Sequence, residues 1–270
     1  MPDLIAFLGG GQMAGSLVGG LRAAGHPASH IRVAEPEAAR AQALAREFGV
    51  ETVAPGPGFA RGAAALVIAV KPQIVERATA GLALDKDTTV ISIAAGIRIE
   101  SLKRWLGHSR AIVRCMPNMP ALVRAGVTAL FAPAGTPPAA RALAEQILGA
   151  VGVTCWVDDE PQLDAVTALS GSGPAYYFLL TEILRETGQA LGLDAATARL
   201  LAGRTFTGSA RMAEGGTDVN ELRAQVTSKG GTTEAAIAHL ETHRLRQLFA
   251  DALRAAEKRA RELGDTLARA

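Results

Sequence analysis

Leu4-Ile5-Ala6-Phe7-Leu8-Gly9-Gly10-Gly11-Gln12-Met13-Ala14 joins a short apolar run to a glycine turn, and the residues beyond it, through Leu17, Leu21 and Ala24, follow helical spacing. Strand, glycine turn and helix in that order, with Gly9-x-Gly11-x-x-Ala14 in register, is the pattern of a dinucleotide site. Glycines let the backbone turn sharply and approach a pyrophosphate, and the helix N-terminus offers it N–H donors. Glycine-rich turns are common, so the motif carries weight only through its surroundings. A second strand-like run, Ile31-Arg32-Val33-Ala34, ends in Glu35, about 20 residues past the turn, where the fingerprint expects a carboxylate.

Glu35 bears on the choice of dinucleotide. A carboxylate at the end of the second strand accepts from ribose hydroxyls and repels a 2′-phosphate, which favours NADH. Pro36 follows at once and can turn the side chain away, while Arg40 on the next helix can meet a phosphate. A solvated acidic loop residue is the plain alternative, so NADPH and NADH both stay open.

Outward from this start the alternation continues: helix 38–48, strand 64–70, a helix after Pro72, strand 89–93, helix 99–106, strands 112–116 and 127–131, helix 138–151 and strand 153–157. Apolar strands separated by helices read as a parallel sheet covered on both faces. Ligands of such sheets sit beyond the carboxyl ends of the strands. Polar or flexible residues occupy those ends here: Lys71-Pro72, Ala94-Ala95-Gly96 and residues 116–120. Lys71 can bond a ribose or nicotinamide group or donate a proton; an ordinary strand-end lysine is the alternative.

The expected organisation is a nucleotide-binding α/β domain over residues 1–160 and an all-helical domain over 161–270. After Asp158-Asp159-Glu160-Pro161 the strand signals stop, and helical spacing runs through 176–191, 195–212, 219–226, 232–240 and 245–267. Leu, Ala and Phe lie on several faces of these helices, which points to a homodimer or larger homo-oligomer. Net charge is +2 with both signs interspersed, so neither nucleic acid nor an anionic membrane is expected as a partner. The longest apolar run, residues 62–70, is too short to span a bilayer. No secretory signal is evident at the N-terminus. Cys115 and Cys155, each inside an apolar strand-like run, read as reduced core thiols of a cytoplasmic protein. No metal site is expected, since the five histidines stand singly or, as His239 and His243, on a distant helix.

Two turns in the C-terminal half are rich in donors. Thr167-Ala168-Leu169-Ser170-Gly171-Ser172-Gly173-Pro174 reads as a helix start, with serines able to cap and proline tolerated in the first turn. Such a start attracts a carboxylate or phosphate; a close, small-residue helix crossing is the alternative. Thr227-Ser228-Lys229-Gly230-Gly231-Thr232-Thr233, ahead of the next helix, is a second candidate anion cradle, or a plain loop with threonine capping.

Taken in order, Gly9 to Ala14, Ala69-Val70-Lys71-Pro72, Ala94-Ala95-Gly96, Arg114-Cys115-Met116-Pro117-Asn118, Leu169 to Tyr176 and Val226 to Thr233 resemble the signature segments of the pyrroline-5-carboxylate reductases. The resemblance spans essentially the whole chain. It implies a Rossmann domain binding NADPH or NADH, a helical domain that interlocks two subunits, and a small-molecule site between the two domains. It places cofactor contacts on Leu8, Gly9, Gly10, Gly11, Gln12, Met13, Glu35, Gly56, Ala69, Val70, Lys71, Pro72, Ala94, Ala95 and Gly96. It places the carboxylate of 1-pyrroline-5-carboxylate on Ser228, Gly230, Gly231, Thr232 and Thr233, and sets Thr167 beside the nicotinamide. Lys71 and Thr167 are the candidate proton donors for an imine reduction yielding L-proline. The chain departs from the family pattern at three of these places: Gly56 stands for a frequent asparagine, Lys229 for a common proline, and Glu35 for the small or hydroxyl residue of many NADPH-preferring members. A hydroxyacid dehydrogenase of similar architecture and a non-catalytic dinucleotide sensor are the competing readings.

Overall fold

In the computed structural model, which describes residues 3–107 and 110–269, the chain divides into two compact units. The first runs to Ser172 and takes back the chain from Ala256 on; the second is Gly173–Ala255.

The first unit is built on eight strands: β1 (Ile5–Leu8), β2 (Ile31–Ala34), β3 (Glu51–Val53), β4 (Ala65–Ile68), β5 (Thr89–Ser92), β6 (Ile112–Met116), β7 (Gly126–Phe131) and β8 (Gly152–Trp156). Their order is β3-β2-β1-β4-β5-β6-β7-β8. From β3 to β6 all neighbours are parallel, and the order reverses between β1 and β4. This is the doubly wound arrangement, with its ligand crevice beyond the carboxyl ends at the switch point. Helices α1 (Gln12–Ala23), α2 (Ala38–Phe48), α3 (Val75–Thr79), α4 (Ile99–Leu106) and α5 (Pro138–Gly149) cover the faces. β1, β4 and β5 are buried along their whole length, as strands between two helical layers must be. Two cores result: Phe7, Leu17, Ile31, Val67 and Ile147 lie on one face of the sheet, and Leu8, Leu66, Ile68, Ile97 and Leu102 on the other.

Three sequence readings need correction. The sheet is not wholly parallel, because β7 runs antiparallel to β6 and parallel to β8. The connection over residues 117–125 holds only a short 3-10 turn, Met119–Val123, and is shorter than the dozen or more residues a crossover needs. Cys155 is not a core thiol: β8 is the edge strand, and its alternating side chains expose Val153 and Cys155, whereas Cys115 on β6 is buried. The stretch at Thr167 is not a fresh helix start. A short helix α6 (Gln162–Val166) passes through a π turn at Thr167–Gly171 into α7 (Gly173–Ala190).

The second unit comprises α7, α8 (Ala195–Glu214), α9 (Val219–Gln225), α10 (Thr232–Thr242) and the beginning of α11 (Leu245–Arg269). Asp194 caps α8 by accepting from the amides of Ala196 and Thr197, both at 3.0 Å, and its bond with Thr197 holds its carboxyl below the usual range. Tyr177 and Phe178 of α7 pack their rings on Phe206 of α8. Leu179, Ile183, Leu184 and Leu200 remain exposed.

Candidate active site

The glycine turn is built by close packing at the switch point. Gly9, at φ +98°, donates to the Ala34 carbonyl at 2.9 Å, and a β-carbon there would lie 2.7 Å from Val70 Cγ1 and 3.0 Å from the Ala69 carbonyl oxygen. Only glycine satisfies both conditions. At Gly10 a β-carbon would lie 2.7 Å from Leu44 Cδ1. Gly11 differs, since a β-carbon there would meet nothing within 4 Å. Gly11 is the N-cap of α1 and carries no side-chain cap. The first amides of α1 therefore have no side-chain acceptor among the described residues, as a pyrophosphate site requires. The turn thus fits the pyrophosphate of a dinucleotide.

Glu35 is drawn into this turn. One carboxylate oxygen accepts from the Gly10 amide at 2.8 Å and the other from the Glu37 amide at 3.0 Å, with the side chain buried. Arg40 lies 3.5 Å from Glu35 and 2.7 Å from Glu37. Gly56 follows β3 in an open loop, with no atom within 4 Å of where its β-carbon would stand. A groove of about 470 Å³ is lined by Gly10, Gly11, Gln12 and Gly19 of the turn and α1, together with Arg40 and Arg124.

On the other side of the switch point, Ala69 donates to the Leu8 carbonyl at 2.9 Å, placing Ala69-Val70 against Gly9. Lys71 follows as the N-cap of a 3-10 turn beginning at Pro72; it is exposed and pairs with no carboxylate among the described residues. Ala94, Ala95 and Gly96 leave β5 in a turn with Gly96 at φ +77°.

Thr167 opens the π turn and its hydroxyl donates to the Leu163 carbonyl at 2.7 Å. Ser172 donates its amide to the Thr167 carbonyl at 2.8 Å, so that amide is spent inside the helix rather than offered to an anion. A β-carbon at Gly171 would lie 2.6 Å from Met116 Cε, so the small residues there serve a close approach to the end of β6. π turns are frequent at functional sites.

Sequence reasoning missed the charges behind these turns. Arg114 of β6 is buried, 3.0 Å from Glu160 and 3.8 Å from Asp164. Glu160 also accepts from the Ile99 amide at 2.8 Å and so caps α4 from far along the chain. Burial pushes the Asp164 carboxyl above its usual range, with Arg114 opposing the shift. An arginine inside an otherwise apolar strand was the available signal.

The second unit carries the remaining turn. Gly231 is the N-cap of α10 and offers no side-chain cap. Glu234 reaches back to accept from the Gly230 amide at 2.7 Å, and Gly231 donates to the Ser228 carbonyl at 3.0 Å. That geometry consumes the amides of Gly230 and Gly231. The amides of Thr232 and Thr233, in the first turn of α10, have no intrahelical partner. A β-carbon at Gly231 would lie 2.5 Å from Ser228 Oγ. The arrangement suits one carboxylate.

Among the described residues no cluster of three or more His, Cys, Asp and Glu is placed to hold a metal ion, and no helix is long and apolar enough to cross a membrane.

Comparison with known proteins agrees with this layout. Residues 160–263 match the family model for pyrroline-5-carboxylate reductase dimerisation, and residues 4–96 match that for NADP oxidoreductase, coenzyme F420-dependent. A pyrroline-5-carboxylate reductase of Pseudomonas aeruginosa is 46% identical over 97% of this chain and 97% of its own. A solved pyrroline-5-carboxylate reductase of Coxiella burnetii superposes with a TM-score of 0.91 at 42% identity, covering 97% of this chain and 99% of that one. A Plasmodium falciparum pyrroline carboxylate reductase with NADP bound gives 0.83 at 26% identity, over 97% and 98%. Identity of that extent, over nearly the full length of both chains, makes this protein a member of the pyrroline-5-carboxylate reductase family.

Proposed function

We propose that the chain reduces 1-pyrroline-5-carboxylate to L-proline with NAD(P)H, the final step of proline biosynthesis. The observation that carries this reading is the full-length identity to curated reductases, and the two turns suited to a pyrophosphate and to a carboxylate support it. When bound, the dinucleotide supplies a hydride, which goes to the imine carbon while a proton goes to the nitrogen. The chain's task is to position the two reactants within near-attack distance and keep them so. Gly9 to Met13, Gly56, Ala69 to Pro72 and Ala94 to Gly96 hold the dinucleotide. Ser228, Gly230, Gly231, Thr232 and Thr233 hold the substrate carboxylate. Of these, Thr232 and Thr233 supply amides and hydroxyls, while Gly230 and Gly231 shape the turn.

Lys71 and Thr167 are the candidate donors of the proton. Thr167 directs its hydroxyl hydrogen at the Leu163 carbonyl and must rotate before it can donate. Lys71, exposed and without a carboxylate partner among the described residues, needs no such change. A substrate that arrives protonated needs neither.

The exposed Tyr177, Phe178, Ile183 and Leu184 of α7, within a segment that matches a dimerisation model, support a homodimer in which a second copy covers them. A cytoplasmic site for the reaction belongs to the same reading; among the described residues no helix is long and apolar enough to cross a membrane.

The deciding assay is oxidation of NADPH, and separately of NADH, with and without 1-pyrroline-5-carboxylate. Substrate-dependent oxidation with L-proline as product is expected. Dinucleotide binding without turnover overturns the reading.

A further inference from the structure

The last turns of α11 return to the first unit and meet the turn that leaves β5. Gly264 is the single glycine of α11 and is buried. Glycine inside a helix costs roughly 1 kcal/mol relative to alanine, and here a close approach accounts for it. A β-carbon on Gly264 would lie 3.3 Å from the Gly96 carbonyl oxygen and 3.5 Å from the Arg98 guanidinium; one on Gly96 would lie 3.3 Å from Leu267 Cδ1 and 3.4 Å from the Gly264 nitrogen. The two backbones therefore touch with no side chain between them. Beside this contact Arg98 pairs with Asp265 at 2.7 Å, and Arg104 donates to the Ala268 carbonyl at 3.2 Å. Leu267 packs on the core formed by Leu8, Ile68 and Ile97. One residue beyond Arg98, the Ile99 amide donates to Glu160 at 2.8 Å.

We propose that Gly264 and Asp265 are positioning residues, which set the Ala94–Gly96 turn for the nicotinamide end of the dinucleotide. This rests on the reading that the turn contacts the cofactor. Gly96, at φ +77°, adopts a conformation that other residues avoid, and contacts from α11 fall on it and on Arg98, two residues along. Their effect is local to one end of the ligand: in the glycine turn the Gly10 amide bonds Glu35, Glu35 in turn engages Glu37 and Arg40, and none of these bonds runs to α11.

The test compares NADH with ADP-ribose, which keeps the pyrophosphate and both riboses and lacks the nicotinamide ring, by calorimetric titration of the full chain. Gly264→Val is expected to weaken NADH at least about fivefold while ADP-ribose stays within about twofold, the gap that marks a ring-end effect. Asp265→Arg is expected to act in the same direction, and the double exchange Arg98→Asp with Asp265→Arg to restore NADH to within about twofold of wild type. Equal losses for both ligands would make the contact merely structural, and unchanged NADH binding would remove it altogether. If Gly264→Val fails to fold, the charge-exchange set decides by itself. Wild-type protein that binds NADH but reduces no imine would overturn the proposed function and leave this comparison intact.

Discussion

The Gly10 amide donates to the buried carboxylate of Glu35 at 2.8 Å, which ties the glycine turn to the end of β2. The residue from which cofactor choice would be read is therefore also a part of the turn. Its other oxygen accepts from the Glu37 amide, so both lobes of the carboxylate are engaged within the protein.

Glu35→Ala should consequently weaken both dinucleotides, by about tenfold, because a buried amide left without an acceptor costs roughly 1–3 kcal/mol. Glu35→Gln keeps an acceptor for Gly10 and removes the negative charge. It should raise the ratio of kcat/KM for NADPH over NADH. Steady-state kinetics with each dinucleotide checks both; a ratio unchanged in Glu35→Gln would show that the charge does not read the 2′ position.

Thr233→Ala should raise the KM for 1-pyrroline-5-carboxylate by about ten- to a hundredfold with little change in the KM for the dinucleotide. A hydrogen bond to a charged group is worth about 1.5–3 kcal/mol. An unchanged substrate KM would take Thr233 out of the site.

Asp164 supplies a pH dependence. Burial raises its folded-state pKa above the unfolded value, and the Arg114 charge offsets this only in part. The folded state then binds the proton more tightly, so this group's stabilising contribution is complete below the unfolded pKa, around 4, and is lost as pH rises through the raised folded pKa. Asp164→Asn lacks that loss. The Tm of Asp164→Asn minus that of wild type should grow more positive from pH 4 to pH 7 in thermal melts; a difference independent of pH would contradict it.

The cysteines should react unequally. Burial pushes the Cys115 thiol well above its ordinary range, whereas Cys155 is exposed on β8. A chromogenic disulfide reagent should modify one thiol per chain under native conditions and two after denaturation. Cys155→Ser should abolish the native reaction.

Much of the first unit is legible in the order of its residues. The glycine turn, the end of β2 at Glu35, helix 38–48 and helix 99–106 fall where apolar period and turn residues put them. β3 and α6 escape such a reading: Glu51–Val53 is too short and too polar to register as a strand, and Gln162–Val166 spans barely one turn. The π turn is also beyond reach, because Thr167 to Pro174 has the composition of a helix start, and it is the continuation from α6 with the Ser172 amide bonded to the Thr167 carbonyl that distinguishes the two.

By itself, the sequence determined most of the strands and helices of the first unit, and that a glycine turn of the dinucleotide-binding pattern opens it. Those are consequences of local period, glycine freedom and helix-end chemistry, which act over a few residues. The tertiary structure alone decided that Glu35 faces Gly10, that Glu160 caps Ile99, and that the end of α11 closes on Gly96. Such pairs lie far apart along the chain, and long-range packing and the burial of charge bring them together.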